Sequence, residues 1–259
     1  MALDSKVFKA YDVRGLYPEE LDEDGAYRIA RAYAEEFEPS AVAVGRDMRV
    51  SSPTMAGAAI EGVLDAGVDV VDVGMIGTEM LYFGVGELDL DGGFTITASH
   101  NPKEYTGMKI VRRGALPVGG DSGLLEIRRR AETGFRDEPS RRGKRREHDL
   151  YPAFTDRVLS FIDPGAVKPL RVVIDAANGM AGAMLPGILE RLPIEAVSCF
   201  FDPDGTFPNH EPNPLLPENR EFVIRKVLDE RADLGIAFDG DADRCFFVDD
   251  SGEFVPGDF

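Results

Sequence analysis

Apolar residues at Ala41 to Val44 lead into a polar loop, GRDMRVSS, then into small and apolar residues at helical spacing from about Pro53 to Ala66, and then into VDVVDVG. That order predicts a strand, a loop, a helix and a second strand. Ser52 and Pro53 supply the N-cap and first-turn proline expected where the helix starts. The order recurs further along. RVVIDAANGMAGAMLPGILERL followed by IEAVSCFFDPDG reads as a buried strand, a glycine-rich turn, a helical stretch and a strand. Two such units predict two α/β domains with mixed, mainly parallel sheets.

The segment between them has a different pattern. Arg128 to Asp149 is rich in arginine, lysine and glutamate, and Gly134, Pro139 and Gly143 interrupt any helical period. Its cluster Arg141, Arg142, Lys144, Arg145 and Arg146 could form a phosphate or nucleic-acid patch. No aromatic residue interleaves with these charges, so a solvated linker or surface hairpin is expected instead. Helical spacing resumes at Tyr151, with Phe154, Val158, Leu159 and Ile162 on one face. The expected organisation is a first domain over 1–134, a linker over 135–149 and a second domain over 150–256. Residues 257–259 would begin a connection onward.

Composition narrows the functional classes. The 259 residues are 43% hydrophobic and 29% charged, ordinary values for a globular chain. A formal charge of -18 repels nucleic acid, and anionic substrates would need local cations. No apolar run is long enough to span a membrane, and MALDSKVFKAYDVRG lacks the apolar segment of a signal peptide, so a cytoplasmic protein without membrane or nucleic-acid partners is expected. Cys199 and Cys245 have no metal-ligand spacing and read as small core residues.

The first chemical feature is GGFTITASHNPKEYTGMK, Gly92 to Lys109. Phe94, Ile96 and the neighbouring threonines form a strand that should end at Ala98, because Ser-His-Asn-Pro cannot continue a ladder. Ser99 then sits on a turn at a strand end, where open α/β sheets place reacting groups. A hydroxyl there often only caps the turn. A hydrolase triad would need a base oriented by a third group, G-x-S-x-G is absent, and the side chains of adjacent Ser99 and His100 are expected to diverge. The alternative is a serine that carries a phosphoryl group, with His100 and Lys109 as donors or proton-transfer groups. Lys109 is expected to start a strand with its amine near the loop, although an exposed strand-end lysine would look the same.

The second feature is LGIAFDGDADRCFFVDD, Leu234 to Asp250. An apolar strand runs into Asp239, Asp241 and Asp243, then Arg244, then the apolar run CFFV. Alternate positions of an extended backbone face one side, so the three carboxylates can converge. Hard oxygen ligands favour Mg²⁺ over zinc or copper. An acidic hairpin turn is the bland alternative. An EF-hand also opens D-x-D-x-D, but needs Gly and normally Glu where Arg244 and Asp250 stand, and helices where strands are expected. A haloacid-dehalogenase-like site would instead make Asp239 the nucleophile. Charge links the two features: a phosphoserine carries about -1.5 to -2 and would be repelled by three aspartates unless a divalent cation lay between them. Arg244 could hold a phosphate.

TASHNP with the lysine of TGMK, FDGDADR, the opening KAYDVRG, and VGRDMRVSSP together resemble the α-D-phosphohexomutases, the phosphomannomutase and phosphoglucomutase superfamily. The resemblance spans the chain. It implies two consecutive three-layer α/β domains, phosphoglucomutase domains I and II. It implies that Ser99 is phosphorylated and that Asp239, Asp241 and Asp243 bind Mg²⁺ together with that phosphate. It also implies isomerisation of a hexose 1-phosphate and 6-phosphate through a hexose 1,6-bisphosphate, which serves as activator. By position, Lys109 resembles the proposed general base, His100 an acid, base or phosphate contact, Tyr11 and Arg14 active-site residues, and Arg244 an arginine at the reacting centre. Arg46 and Asp47 are weaker candidates, and FPNHEPNPLLPENR is assigned a structural role.

The family has four domains, with a sugar-recognition loop in the third and a phosphate clamp in the fourth. The resemblance here covers the first two. Domains III and IV of the same protein are therefore expected partners, alongside a hexose phosphate, and the 259 residues alone are expected to have little or no mutase activity, the alternative being a non-catalytic magnesium- or phosphate-binding fragment. SHNPKEYTGMK is more similar to the phosphomannomutase/phosphoglucomutase type than to the phosphoglucosamine type.

Overall fold

A computed structural model describes residues 3–136 and 139–256. Contacts divide it into two units, one holding the chain up to Ala98 with Glu104–Leu150, the other Ser99–Lys103 with the chain from Tyr151 onward. Residues 257–259, expected to open a connection, lie outside the described residues.

The first unit contains β1 (Val13–Leu16), α1 (Glu23–Phe37), β2 (Ala41–Arg46), α2 (Ser52–Asp65), β3 (Asp69–Met75), α3 (Thr78–Glu87), β4 (Gly92–Ile96), β5 (Tyr105–Arg112), β6 (Leu116–Pro117), α4 (Leu124–Thr133) and β7 (Arg145–Glu147). Its sheet runs β1-β5-β4-β2-β3-β7, with β6 on β5. The β4-β2-β3-β7 ladders are parallel and the β1-β5-β4 ladders antiparallel, so the sheet is mixed. Alternation along the strands sorts the faces. Val42, Val44, Val70, Phe94, Ile96, Met108 and Ile110 join a core with α1, α2 and α4, while α3 packs on β2 and β4 outside that cluster.

Local sequence accounts for the helix ends. The Asp22 side chain accepts from the Gly25 amide at the start of α1, with Glu23 and Asp24 in its first turn. Helix α2 starts at Ser52 rather than after it, and Ser51 takes the cap position without a side-chain cap bond. The Ser52 hydroxyl donates instead to Asp47, 2.5 Å away. Gly62 lets α2 approach α1, because a Cβ there would lie 2.3 Å from the Tyr27 carbonyl oxygen.

Part of the segment expected as a linker belongs to the first sheet, as β7 pairs parallel with β3. The reason is electrostatic as well as geometric. Arg141 pairs with Asp69 at 3.0 Å, Arg142 with Asp65 at 2.7 Å, and Arg145 with Asp72. These arginines are thus spent on acidic neighbours of the same unit rather than forming an open basic patch.

The second unit contains α5 (Tyr151–Leu159), β8 (Leu170–Asp175), α6 (Ala181–Met184), α7 (Pro186–Leu189), β9 (Ile194–Cys199), α8 (Pro217–Glu230), β10 (Leu234–Phe238), β11 (Cys245–Asp249) and β12 (Phe254–Val255). Its sheet runs β12-β11-β10-β8-β9, parallel across β10-β8-β9 and antiparallel toward β12. Helix α8 covers β8, β10 and β11, and Val173, Val223, Val227, Ala232, Ala237 and Val248 form the core beneath it. On α5, Phe154 and Leu159 are buried, whereas Ile162 lies beyond the helix and is exposed. Cys199 joins the core as expected. Cys245 is exposed, a correction, because it opens β11, where Phe247 is exposed too and Val248 alone is buried. Among the described residues no helix is long and apolar enough to cross a membrane.

Candidate functional site

Strand β4 ends at Ile96, two residues before the expected Ala98. The chain then turns through Ser99, whose φ is 52° and whose surface is 2% exposed. A left-handed non-glycine residue costs roughly 1–3 kcal/mol and persists only where its surroundings over-determine it. This backbone also corrects the expectation that Ser99 and His100 point apart: Ser99 Oγ lies 3.4 Å from His100 Nδ1. Neighbouring side chains diverge on an extended strand, and the left-handed turn removes that alternation.

The aspartates lie on the connection between antiparallel β10 and β11. Asp239 closes the connection with its own groups. Its amide donates to the Arg244 carbonyl at 3.2 Å, its Oδ1 accepts the Arg244 amide at 3.1 Å, and its carbonyl accepts the Ala242 amide at 3.1 Å. This is how Asp side chains stabilise turns. Asp239 is 0% and Asp241 1% exposed, and Asp243 is partly exposed. One ligand oxygen from each of the three lies within 4.8 Å of the others. A set of hard carboxylate oxygens, two of them buried, suits a magnesium-like cation rather than zinc or copper.

Ser99, His100, Asp239, Asp243 and Arg244 come together within the second unit, to which the Ser99–Lys103 loop belongs. The Ser99 hydroxyl donates to Asp239 Oδ2 at 3.0 Å and accepts from Arg244 Nη2 at 2.9 Å. Arg244 also donates to Asp239 Oδ2, at 2.5 Å from Nη2 and 3.0 Å from Nε, with Asp243 Oδ1 at 3.4 Å. Arg244 Nη2 donates further to His100 Nδ1. A guanidinium has no acceptor, so Nδ1 offers its lone pair and the neutral ring carries its proton on Nε2. Burial pushes the Asp239 carboxyl up to about 7, with the charges of Asp241 and Asp243 adding to it and Arg244 opposing. A concentration of negative charge that burial alone makes costly is what a divalent cation relieves.

Sequence reasoning missed two supporting groups. At Gly240, between Asp239 and Asp241, a Cβ would lie 2.5 Å from the Ser99 carbonyl oxygen, so only glycine allows the serine backbone to approach. Pro212, in the proline-rich stretch, lies against the same glycine, 3.3 Å from that Cβ position. The prolines predicted a rigid loop, but not what it rests on.

The remaining candidates lie on first-unit elements. Lys109 is in the middle of β5, opposite Thr95, rather than at a strand start, because the strand begins at Tyr105. Tyr11 is 82% exposed, and Arg14, on β1 opposite Gly107, pairs with Asp12 at 2.5 Å. Asp47 is fully buried and paired with Arg49, itself 1% exposed, at 3.3 Å. Its amide donates to the Ile96 carbonyl at 2.8 Å, and Arg46 Nη1 reaches the Asp47 carbonyl at 3.3 Å. This is the bonding of an internal brace at the end of β4.

Known proteins carry the same arrangement of domains. The description phosphoglucomutase/phosphomannomutase, alpha/beta/alpha domain I, matches residues 5–136, and that of domain II matches residues 152–252. A phosphomannomutase from Salmonella typhimurium is 48% identical over 96% of this chain and 56% of its own length. A protein named phosphohexose mutases from Xanthomonas campestris is 44% identical, again over 96% of this chain and 56% of its own. The crystal structure of a phosphoglucomutase/phosphomannomutase family protein from Burkholderia thailandensis superposes with a TM-score of 0.88 at 38% identity, covering 98% of this chain and 56% of that one. The chain thus spans just over half the length of these relatives. With both domain descriptions matched in order and nearly half the residues shared with a curated relative, the chain belongs to the phosphoglucomutase/phosphomannomutase family.

Proposed function

We propose that the chain carries the phosphoryl-transfer centre of a hexose-phosphate mutase acting on mannose phosphate, glucose phosphate or both. In this reading Ser99 is the phosphoryl carrier, and a hexose 1-phosphate and 6-phosphate interconvert through a hexose 1,6-bisphosphate. The observation that carries the proposal is the Ser99 hydroxyl held 3.0 Å from Asp239 and 2.9 Å from Arg244, inside a cluster of three carboxylates. The Ser99 hydroxyl bonds to side chains 140 and 145 positions further along the chain, contacts that a local cap does not need. The names of the relatives favour mannose phosphate as one substrate.

In the forward step the bond between phosphorus and Ser99 Oγ breaks as phosphorus bonds to a sugar hydroxyl, whose proton passes to a base. Lys109 is proposed as that base, and Tyr11 and Arg14 as substrate contacts, on the strength of the motifs they occupy. Transfer back from the bisphosphate regenerates phosphoserine. Arg244, which donates to Ser99 Oγ, is proposed to hold a phosphoryl oxygen. His100, whose Nδ1 lies 3.4 Å from Ser99 Oγ, is proposed as an acid, base or phosphate contact. Asp239, Asp241 and Asp243 would hold Mg²⁺, which when bound offsets the phosphoryl charge and leaves phosphorus open to attack. Sugar selection and phosphate clamping are assigned to the regions of the relatives beyond those matched here, so the 259 residues alone should turn over little hexose phosphate.

Peptide mass spectrometry of the purified chain, before and after incubation with glucose 1,6-bisphosphate and Mg²⁺, tests the carrier. Phosphate on Ser99, abolished by Ser99→Ala, is expected. Phosphate on Asp239 that survives Ser99→Ala would replace this mechanism with a haloacid-dehalogenase-like one, and phosphate on neither residue would overturn the carrier role.

A further inference from the structure

The loop FPNHEPNP is not accounted for by the reaction above, yet it is tied to the second unit by side chains that are expensive to bury. Asp175, at the carboxyl end of β8, is 1% exposed. Its Oδ1 accepts the Ala177 amide at 2.9 Å, and its Oδ2 faces His210 Nε2 at 3.0 Å. The other ring nitrogen of His210 lies 2.8 Å from the Glu211 carbonyl oxygen. A carbonyl only accepts, so Nδ1 carries a proton, and Nε2 shares a hydrogen bond with the Asp175 carboxyl. Protonation of His210 on both nitrogens makes the contact a partly buried ion pair. Burial works against that charge, but the hydrogen bond and charge of Asp175 outweigh it and raise the His210 pKa.

A second link lies beside the first. Asn209 Nδ2 donates to Asn178 Oδ1 at 2.8 Å, and Asn178 Nδ2 donates to the Asp202 carbonyl at 2.9 Å. Both links join the loop to the turn Ala177–Met180, in which Ala177 and Asn178 have φ of 48° and 56°. That turn and that loop meet again at one residue. The Met180 amide donates to the Gly240 carbonyl at 2.9 Å, and Pro212 lies against the α-carbon side of Gly240. Gly240 separates Asp239 from Asp241. Strand register adds a third tie, since Asp175 pairs with Ala237, two residues before Asp239.

Buried ion pairs contribute little net stability compared with apolar residues of the same size. Their geometric precision is the property left to explain. We propose that His210 and Asp175 are positioning residues: with Asn178 and Asn209 they clasp the loop and the turn on either side of Gly240, and so hold Asp239 and Asp241 at metal-ligating separation. The proposal rests on the reading of the three aspartates as a magnesium site. Groups that orient metal ligands from behind typically set affinity by about 10- to 100-fold.

Isothermal titration of the 259-residue chain with Mn²⁺, well below the unfolding temperature and with the fold checked by circular dichroism, tests it. His210→Ala and Asp175→Asn are expected to weaken Mn²⁺ binding about 10-fold or more. His210→Gln, which restores the donor to Asp175, should recover most of the loss. Should His210→Ala fail to fold, Asn209→Ala alters an exposed residue and should weaken binding several-fold. Variants that unfold at lower temperature yet bind Mn²⁺ as the parent does would overturn the clasp. Asp239→Asn separates the two readings. Parent binding that Asp239→Asn abolishes and His210→Ala leaves intact refutes the clasp alone, and a parent that binds no Mn²⁺ refutes the metal site and the clasp together.

Discussion

Replacing Asp239 by asparagine should make the metal-free protein more stable while destroying its response to magnesium. Asp239 is fully buried, and its carboxyl is pushed from the ordinary 3.8 up to about 7, first by burial and then by Asp241 and Asp243. At about 1.36 kcal/mol for each tenfold change in ionisation, holding the ionised form at pH 8 costs on the order of 4 kcal/mol. The amide removes that cost but gives up one acceptor toward Arg244, worth about 1–3 kcal/mol. The net expectation is a gain of about 1–3 kcal/mol, or a rise in Tm of roughly 3–10 °C for a chain of this size. The sign with pH follows from proton binding. With its folded pKa raised, native Asp239 binds more protons than the unfolded chain between about pH 4 and 7, so this group's contribution to stability falls as pH rises through that window. Thermal unfolding by circular dichroism in EDTA, at pH 5 and pH 8, reads the difference between parent and variant, in which other titrating groups cancel. The advantage of the variant should be large at pH 8 and nearly vanish at pH 5. Added Mg²⁺ at pH 8 should raise the Tm of the parent alone, by mass action on the native state. A variant less stable than the parent in EDTA at pH 8, or a difference independent of pH, would refute the argument that this carboxylate is held ionised at a cost.

Other consequences follow from contacts elsewhere. Gly240→Ala would place a Cβ 2.5 Å from the Ser99 carbonyl oxygen, with the Pro212 ring 3.3 Å away, and should cost about 1–3 kcal/mol in urea unfolding and slow Ser99 phosphorylation. Arg49→Met leaves the buried Asp47 carboxylate without its 3.3 Å cation and should lose about 3–5 kcal/mol by the same measurement, while replacing both residues by apolar ones should recover most of it. Phe94→Ala, at a fully buried position under α1 and α2, should cost about 3–5 kcal/mol through the cavity it opens.

Much of this protein was legible in the order of its residues. The recurring strand, turn, helix and strand marked two α/β units, because buried parallel strands and amphipathic helices impose different periods on a sequence. Alternate aspartates after an apolar strand predicted carboxylates that converge, because alternate positions of an extended backbone face one side, and one oxygen of each lies within 4.8 Å of the others. The edges were less legible. Arg145–Glu147, all exposed, extends the first sheet, and a short edge strand with no buried face leaves no hydrophobic signature. Cys245 was expected in the core, yet it and Phe247, in the same apolar run, are exposed on β11, since burial depends on which neighbour covers a strand.

What tertiary structure alone decided is how the candidate site is assembled. Ser99 and Asp239 are 140 positions apart, and their 3.0 Å contact depends on a left-handed serine and on a glycine without a side chain. The sequence shows that glycine and that serine, but neither the positive φ nor the close approach. His210 and Asp175 likewise become a pair only when the loop folds over the end of β8. Motifs name the candidate groups because residue order is local. Distances, protonation states and supporting contacts are set by segments far apart in the chain, and so appear only once it has folded.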